Sequence, residues 1–153
     1  KKKSGEFVGD IMVRSSKLKA INCPKKLAPL TIDEFPLLFI IASITKGISK
    51  FSGISELRHK ESDRIKNIEL GLNKIGIKTK STTDSLIIFG NPNLELNDNY
   101  VVKNFDKDHR ACILSCIVAL TLGGRWKIHD ADSINTSFPN FLSILKSLGA
   151  KIN

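Results

Sequence analysis

The sequence predicts an α/β protein made of a repeated strand–helix–strand–helix–strand unit. Two stretches, 37–44 and 113–122, are apolar on nearly all sides, so each predicts a buried helix. Each is followed by a short strand-like run and then by a helical pattern with a single apolar stripe. The residues also recur. Ile41-Ala42-Ser43-Ile44-Thr45-Lys46-Gly47 aligns with Ile117-Val118-Ala119-Leu120-Thr121-Leu122-Gly123 at an offset of 76. Leu72-Asn73-Lys74-Ile75-Gly76-Ile77-Lys78 aligns with Leu145-Lys146-Ser147-Leu148-Gly149-Ala150-Lys151 at an offset of 73. A repeat this long is a whole α/β unit rather than a solenoid rung. It predicts two similar units, about 7–94 and 95–153, with the buried helices packed together inside and the sheets and amphipathic helices covering them.

In chain order, residues 7–14 read as a strand, because Val8, Ile11 and Val13 are apolar and β-branched residues dominate. Pro24 and Pro29 make 17–30 mostly loop. A helix is expected over 31–46, opened by Thr31 and Glu34 at capping-box spacing, with Pro36 in its first turn, and ended by Gly47. Residues 48–54 read as a strand. The charged run 58–64 opens a helix whose stripe is Ile65, Ile68, Leu72 and Ile75, closed by Gly76. Two short strands flank Thr82-Thr83-Asp84-Ser85, and 90–100 is a loop rich in Asn and Pro. A strand over 100–104 leads into the second buried helix, 108–122, which Gly123-Gly124 ends. A strand over 126–130 follows. The last helix starts at Ser137 or Phe138, turns Phe141, Leu142, Leu145 and Leu148 inward, and stops at Gly149.

The 153 residues suit one globular domain, and no apolar run reaches the roughly 20 residues that span a bilayer. The chain starts on lysines instead of Met, and no apolar signal core follows them. An odd cysteine count without a Cys-x-x-Cys pair argues against a disulfide framework or zinc ribbon and fits a reducing cytoplasm. Cys112 and Cys116 read as small buried apolar residues. The net charge of +9 is spread over scattered lysines, and the few aromatics do not alternate with them. Small anionic substrates therefore fit better than nucleic acid or a membrane surface.

Three charged clusters stand at or just before helix starts: Asp33-Glu34-Phe35-Pro36, Arg58-His59-Lys60-Glu61-Ser62-Asp63-Arg64 and Asp108-His109-Arg110. Acidic residues there are ordinary caps. Lys60 and Arg64 are not, since a cation near a helix N-terminus opposes the helix dipole, and an anion would relieve that cost. The offset of 76 places Asp33-Glu34 opposite His109-Arg110, which points to one shared anion site.

These clusters closely resemble the signatures of the 5-enolpyruvylshikimate-3-phosphate synthases. The run 58–64 resembles one signature, Asp108-His109-Arg110 a second, and Asp33-Glu34-Phe35-Pro36 the segment with the family's aspartate. Residues 10–19 and Thr136-Ser137-Phe138-Pro139 are similar to further segments in the same order. The resemblance implies part of one domain of the enolpyruvyl transferase fold, an inverse α/β barrel of repeated units around buried parallel helices. It implies that the chain is the C-terminal portion of a longer monomeric, cytoplasmic enzyme and is inactive without the N-terminal domain. It implies transfer of the enolpyruvyl group of phosphoenolpyruvate to the 5-hydroxyl of shikimate 3-phosphate with release of phosphate. No metal and no cofactor take part. Arg64 and Arg110 would bind phosphoenolpyruvate, as suits a guanidinium fork facing a carboxylate and a phosphate. Lys60 would contact shikimate 3-phosphate near the reacting centre. Asp33 would bind the attacking hydroxyl and act as base, and Glu61 would move the methylene proton.

One departure is Thr136, where many members carry lysine. Glu56 replaces an asparagine of some members and takes no role. His59 and His129 read as surface or strand residues, His109 as a cap, and Trp126 as at least partly buried. Two other readings stay open: the related enolpyruvyl transferase of cell-wall precursor synthesis, and a basic α/β module that binds RNA or protein.

Overall fold

The structure, a computed structural model, describes residues 2–103 and 107–153. A short hairpin, β1 (Lys2–Lys3) and β2 (Glu6–Phe7), opens the chain. The expected strand over 7–14 stops at Phe7. Beyond it Ile11, Met12 and Val13 point outward and join none of the sheets. The strand that enters the first large sheet is β3 (Asn22–Cys23), inside the stretch expected to be loop.

The helix expected over 31–46 is broken in two. One turn, α1 (Ala28–Thr31), precedes α2 (Phe35–Ser43). The capping box does not form. The Thr31 hydroxyl donates back to the Leu27 carbonyl, which ties it to the preceding turn, and Glu34 supplies no side-chain cap. Pro36 sits in the first turn of α2, as expected. At the far end the hydroxyls of Ser43 and Thr45 bond to the Ile40 and Ile41 carbonyls, and the chain turns into β4 (Gly47–Ser52).

A 3-10 turn, Ser55–His59, carries the first part of the charged run, so regular helix begins only at α3 (Arg64–Lys74). Asp63 caps α3 by accepting the Lys66 N–H at 2.9 Å. The hairpin of β5 (Thr79–Ser81) and β6 (Ser85–Gly90) flanks the predicted turn. Together β3, β4, β6 and β5 make a four-stranded sheet in that order, with β3 parallel to β4. The β4–β6 register sets Phe51 opposite Leu86 and Ser49 opposite Ile88 on the buried face, while Ile48 and Lys50 point to solvent.

The second part runs through β7 (Asn99–Val102), α4 (His109–Leu122), β8 (Arg125–Ile128), a 3-10 helix (Ala131–Thr136) and α5 (Phe141–Ser147). Position 104 of the expected strand lies outside the described residues. β7 and β8 pair in parallel across α4, just as β3 and β4 do across α2. α5 starts later than expected, and Leu148 faces solvent because the helix ends one residue before it. Tyr100 stacks on Trp126 across β7 and β8, ring centroids 4.6 Å apart, and the indole N–H donates to Gly123 O.

The main core joins α2, α3, the four-stranded sheet and one side of α4. At its centre Phe35, Phe39 and Phe51 pack ring to ring, with Leu86, Ile88, Ile65 and Leu57 around them. A smaller cluster of Cys112, Cys116, Ile134 and Phe141 seats α5 against α4. Both thiols are buried, as small apolar residues would be. Among the described residues no helix is long and apolar enough to cross a membrane.

Gly90 passes so close beneath the end of α2 that a Cβ there would collide with the Ala42 and Thr45 carbonyl oxygens. Gly90→Ala is expected to cost about 1–3 kcal/mol, the range for overpacking a tight contact, read as a lower urea midpoint. Gly71 is the control. It lies on the open side of α3, where a methyl group would meet nothing within 4 Å. Gly71→Ala should be neutral or stabilising.

Candidate active site

The helix starts predicted to carry the chemistry meet. Asp33 lies in the turn between α1 and α2, Arg64 is the first residue of α3, and Asp108 and Arg110 open α4. Asp33 links the two arginines: one carboxylate oxygen is 3.2 Å from Arg64 Nη1, the other 3.3 Å from Arg110 Nη2. Arg110 Nη1 also donates to the Asp33 backbone carbonyl at 3.3 Å.

Arg64 is the hub. Its side chain is 4% exposed, and every nitrogen of its guanidinium donates to a carboxylate. Nε bonds to Asp108 at 3.0 Å, Nη1 to Asp33, and Nη2 to Glu61 at 2.6 Å. Burial works against the charge, but the Asp108 hydrogen bond and charge, with Glu61 and Asp33 behind them, outweigh it and raise the Arg64 pKa.

Asp108 is fully buried. It receives Arg64, the Ser62 hydroxyl at 3.0 Å, and the Arg110 and Ala111 N–H groups of its own helix. Burial alone would raise its pKa. Arg64, the Ala111 N–H and Ser62 together hold the carboxyl below its ordinary range. The same residue thus caps α4 and anchors the arginine of α3.

Lys60 stands at the rim, 2.5 Å from Glu56 Oε1. That hydrogen bond holds the ammonium above its ordinary pKa, and Asp33 and Arg64 also act on it through their charges. The segment that carries Lys60 is strapped to the β5–β6 turn. Arg58 donates to the Thr82 and Thr83 carbonyls and to both Asp63 oxygens. Asp84 accepts the Gly53 and Ser55 N–H groups, which hold it below its ordinary pKa with help from Lys25.

Four of the five predicted residues, Asp33, Glu61, Arg64 and Arg110, therefore belong to one ion-paired cluster, and Lys60, paired to Glu56, lies within reach of the Asp33 and Arg64 charges. The anion expected to relieve the cations at the helix starts is in place already, as Asp108, Glu61, Asp33 and Glu56. The sequence reading missed the anchoring by Asp108, although an Asp before an apolar helix is a cap signal. It also missed Asp84, which showed only a turn signal, and gave Glu56 no role. Thr136 ends the 3-10 helix, its hydroxyl bonded to the Ser133 carbonyl. His59 is exposed and His109 and His129 are half-buried. A cleft of about 650 Å³ between α3, α4 and β7 has Ser62, Arg64, Arg110, Tyr100 and Trp126 among its lining residues.

The family profile described as EPSP synthase (3-phosphoshikimate 1-carboxyvinyltransferase) matches residues 5–145. The 3-phosphoshikimate 1-carboxyvinyltransferase of Paramagnetospirillum magneticum is 36% identical over 150 residues, covering 98% of this chain and 33% of its own length. That of Nitrosococcus oceani is 41% identical over 148 residues, covering 97% and 32%. Among solved structures, EPSP synthase from Acinetobacter baumannii superposes with a TM-score of 0.72 at 34% identity, over 90% of this chain and 32% of that one. The enolpyruvyl transferase NikO from Streptomyces tendae, at 19% identity and a TM-score of 0.57 over 79% and 26%, shares the fold. The chain spans about a third of the length of the curated relatives it matches.

Proposed function

This chain belongs to the EPSP synthase family, and from that premise we propose that it supplies one half of an active site that moves the enolpyruvyl group of phosphoenolpyruvate onto the 5-hydroxyl of shikimate 3-phosphate. The other half comes from the portion of the relatives' length that this chain does not span. The chain contributes two similar units, about 7–94 and 95–153, to one domain of a monomeric, cytoplasmic enzyme.

The observation that supports this reading is the cluster itself: two arginines from separate helix starts share one aspartate, with a lysine at the rim. Arg64 and Arg110 hold the carboxylate and phosphate of phosphoenolpyruvate, which need fixed cations. Lys60 steadies shikimate 3-phosphate beside them. In the addition step the 5-hydroxyl oxygen bonds to the central carbon of phosphoenolpyruvate. Asp33 takes the hydroxyl proton, and Glu61 gives a proton to the methylene, which becomes a methyl group. In the elimination step the carbon–oxygen bond to phosphate breaks, Asp33 passes its proton to the departing phosphate oxygen, and the methyl returns a proton to Glu61, restoring the double bond. Closure of the remaining domain over the cluster would exclude water and fix the reacting geometry.

The test is phosphate release from phosphoenolpyruvate in an enzyme of the relatives' full length. Arg110→Ala is expected to lower kcat/KM about a hundredfold or more, as removal of a charge-stabilising donor does. Unchanged turnover would remove Arg110 from the site. The 153-residue chain by itself is expected to be inactive.

A further inference from the structure

We propose that Arg64 rests on exchangeable carboxylates. Asp33 and Glu61 are the partners that the phosphoenolpyruvate anion replaces, and Asp108, held by Ser62, is the positioning residue that keeps the guanidinium in place during the exchange. The proposal rests on reading the cluster as the phosphoenolpyruvate site.

Exposure separates the three partners of Arg64. The Asp33 and Glu61 side chains are 39% and 51% exposed, whereas Asp108 is 0% exposed. Asp108 accepts Arg64 through both oxygens and is bound as well by Ser62 and two helix N–H groups, so releasing it would unravel the start of α4. Asp33 and Glu61 need only swing toward solvent.

Charge makes the exchange necessary. Lys60, Arg64 and Arg110 are matched by Glu56, Asp33, Glu61 and Asp108, so the cluster has no spare positive charge for a ligand with two anionic groups. An anion that entered with every pair intact would lie against Asp33 and Glu61 and be repelled. If it takes their places, both carboxylates are freed at the moment the site fills. Those are the groups assigned the proton transfers, so both leave Arg64 only when the ligand is bound.

The experiment titrates phosphoenolpyruvate into an enzyme of the relatives' full length that carries this chain and follows the Arg64 Nε–H resonance and the binding curve by NMR. Glu61→Gln removes the charge. Glu61→Asp keeps the charge but withdraws it from the guanidinium. Both are expected to bind about two- to fivefold more tightly than the wild type, the gain from not breaking a half-exposed ion pair. Ser62→Ala, which loosens Asp108, is expected to bind more weakly, and the wild-type Arg64 Nε–H should stay protected at saturation. Tighter binding in Glu61→Gln alone would show simple repulsion and overturn the exchange. Unchanged affinity in both, with weaker binding in Arg110→Ala, would also overturn it while leaving the phosphoenolpyruvate site standing. Unchanged affinity in Ser62→Ala would remove the positioning role. No binding by any variant would overturn the exchange and the site together.

Discussion

Arg64→Met is expected to lower folding stability by about 3–5 kcal/mol, the cost of leaving a buried charge without its partner. In that variant Asp108 stays at 0% exposure with the Ser62 hydroxyl and two helix N–H groups but no cation. The loss depends on pH with a definite sign. Arg64 holds the Asp108 pKa below that of the unfolded chain. Asp108 therefore contributes stability above the unfolded carboxylate pKa, near 4. That contribution fades as pH falls through the folded value. The difference between Arg64→Met and the wild type should be largest near neutrality and shrink in acid, where a protonated Asp108 tolerates burial. Urea denaturation at a series of pH values reads both effects. Arg64→Met combined with Asp108→Asn should recover most of the loss, because the amide oxygen still caps α4 and no charge is buried. A gap between the two proteins that stayed constant with pH would show that Asp108 is not what Arg64 neutralises.

Phe39→Ala is expected to cost about as much, 3–5 kcal/mol, for a different reason. Phe39 is fully buried between α2 and the four-stranded sheet, its ring 4.9 Å from Phe51 edge-to-face and 5.8 Å from Phe35. Truncation removes apolar burial, leaves a void among rigid rings and ends both ring contacts. Against a total stability of about 5–15 kcal/mol for a domain, that loss brings the chain close to its unfolding midpoint under mild conditions. Here the loss should not vary with pH, because nothing titratable changes partner. Thermal and urea melts on the same samples separate the two variants by that criterion.

The parts of the fold legible in the sequence are those set by local pattern. The stripe of α3, the apolar run of α4 with Asp108 before it and Gly123 after it, and the turn between β5 and β6 all follow from spacing and caps. The first strand was not legible, because a strand needs a partner. Residues 8–14 have the right composition and join none of the sheets, while Asn22–Cys23, with none of that signal, pairs with Lys50 and Phe51. The break before α2 depends on one hydroxyl choosing the preceding turn over the following one, and either choice satisfies the spacing. The site divides in the same way. Its cations stood out because they oppose the helix dipole. Their partners did not, since Asp33 and Asp108 reach Arg64 across 31 and 44 residues of chain, and only the packing of α2, α3 and α4 brings them together.

The stacked rings at the β7–β8 junction give the molecule a built-in optical probe of limited view. Its single tryptophan and single tyrosine are neighbours, so intrinsic emission watches that corner, where the two rings pack against the edge of the phenylalanine-centred core. A fluorescence melt would report the α4 corner and circular dichroism the whole backbone. Superimposable curves from the two would mean that the halves come apart in one cooperative event, and a lag between them would mean that one half can loosen while the other holds.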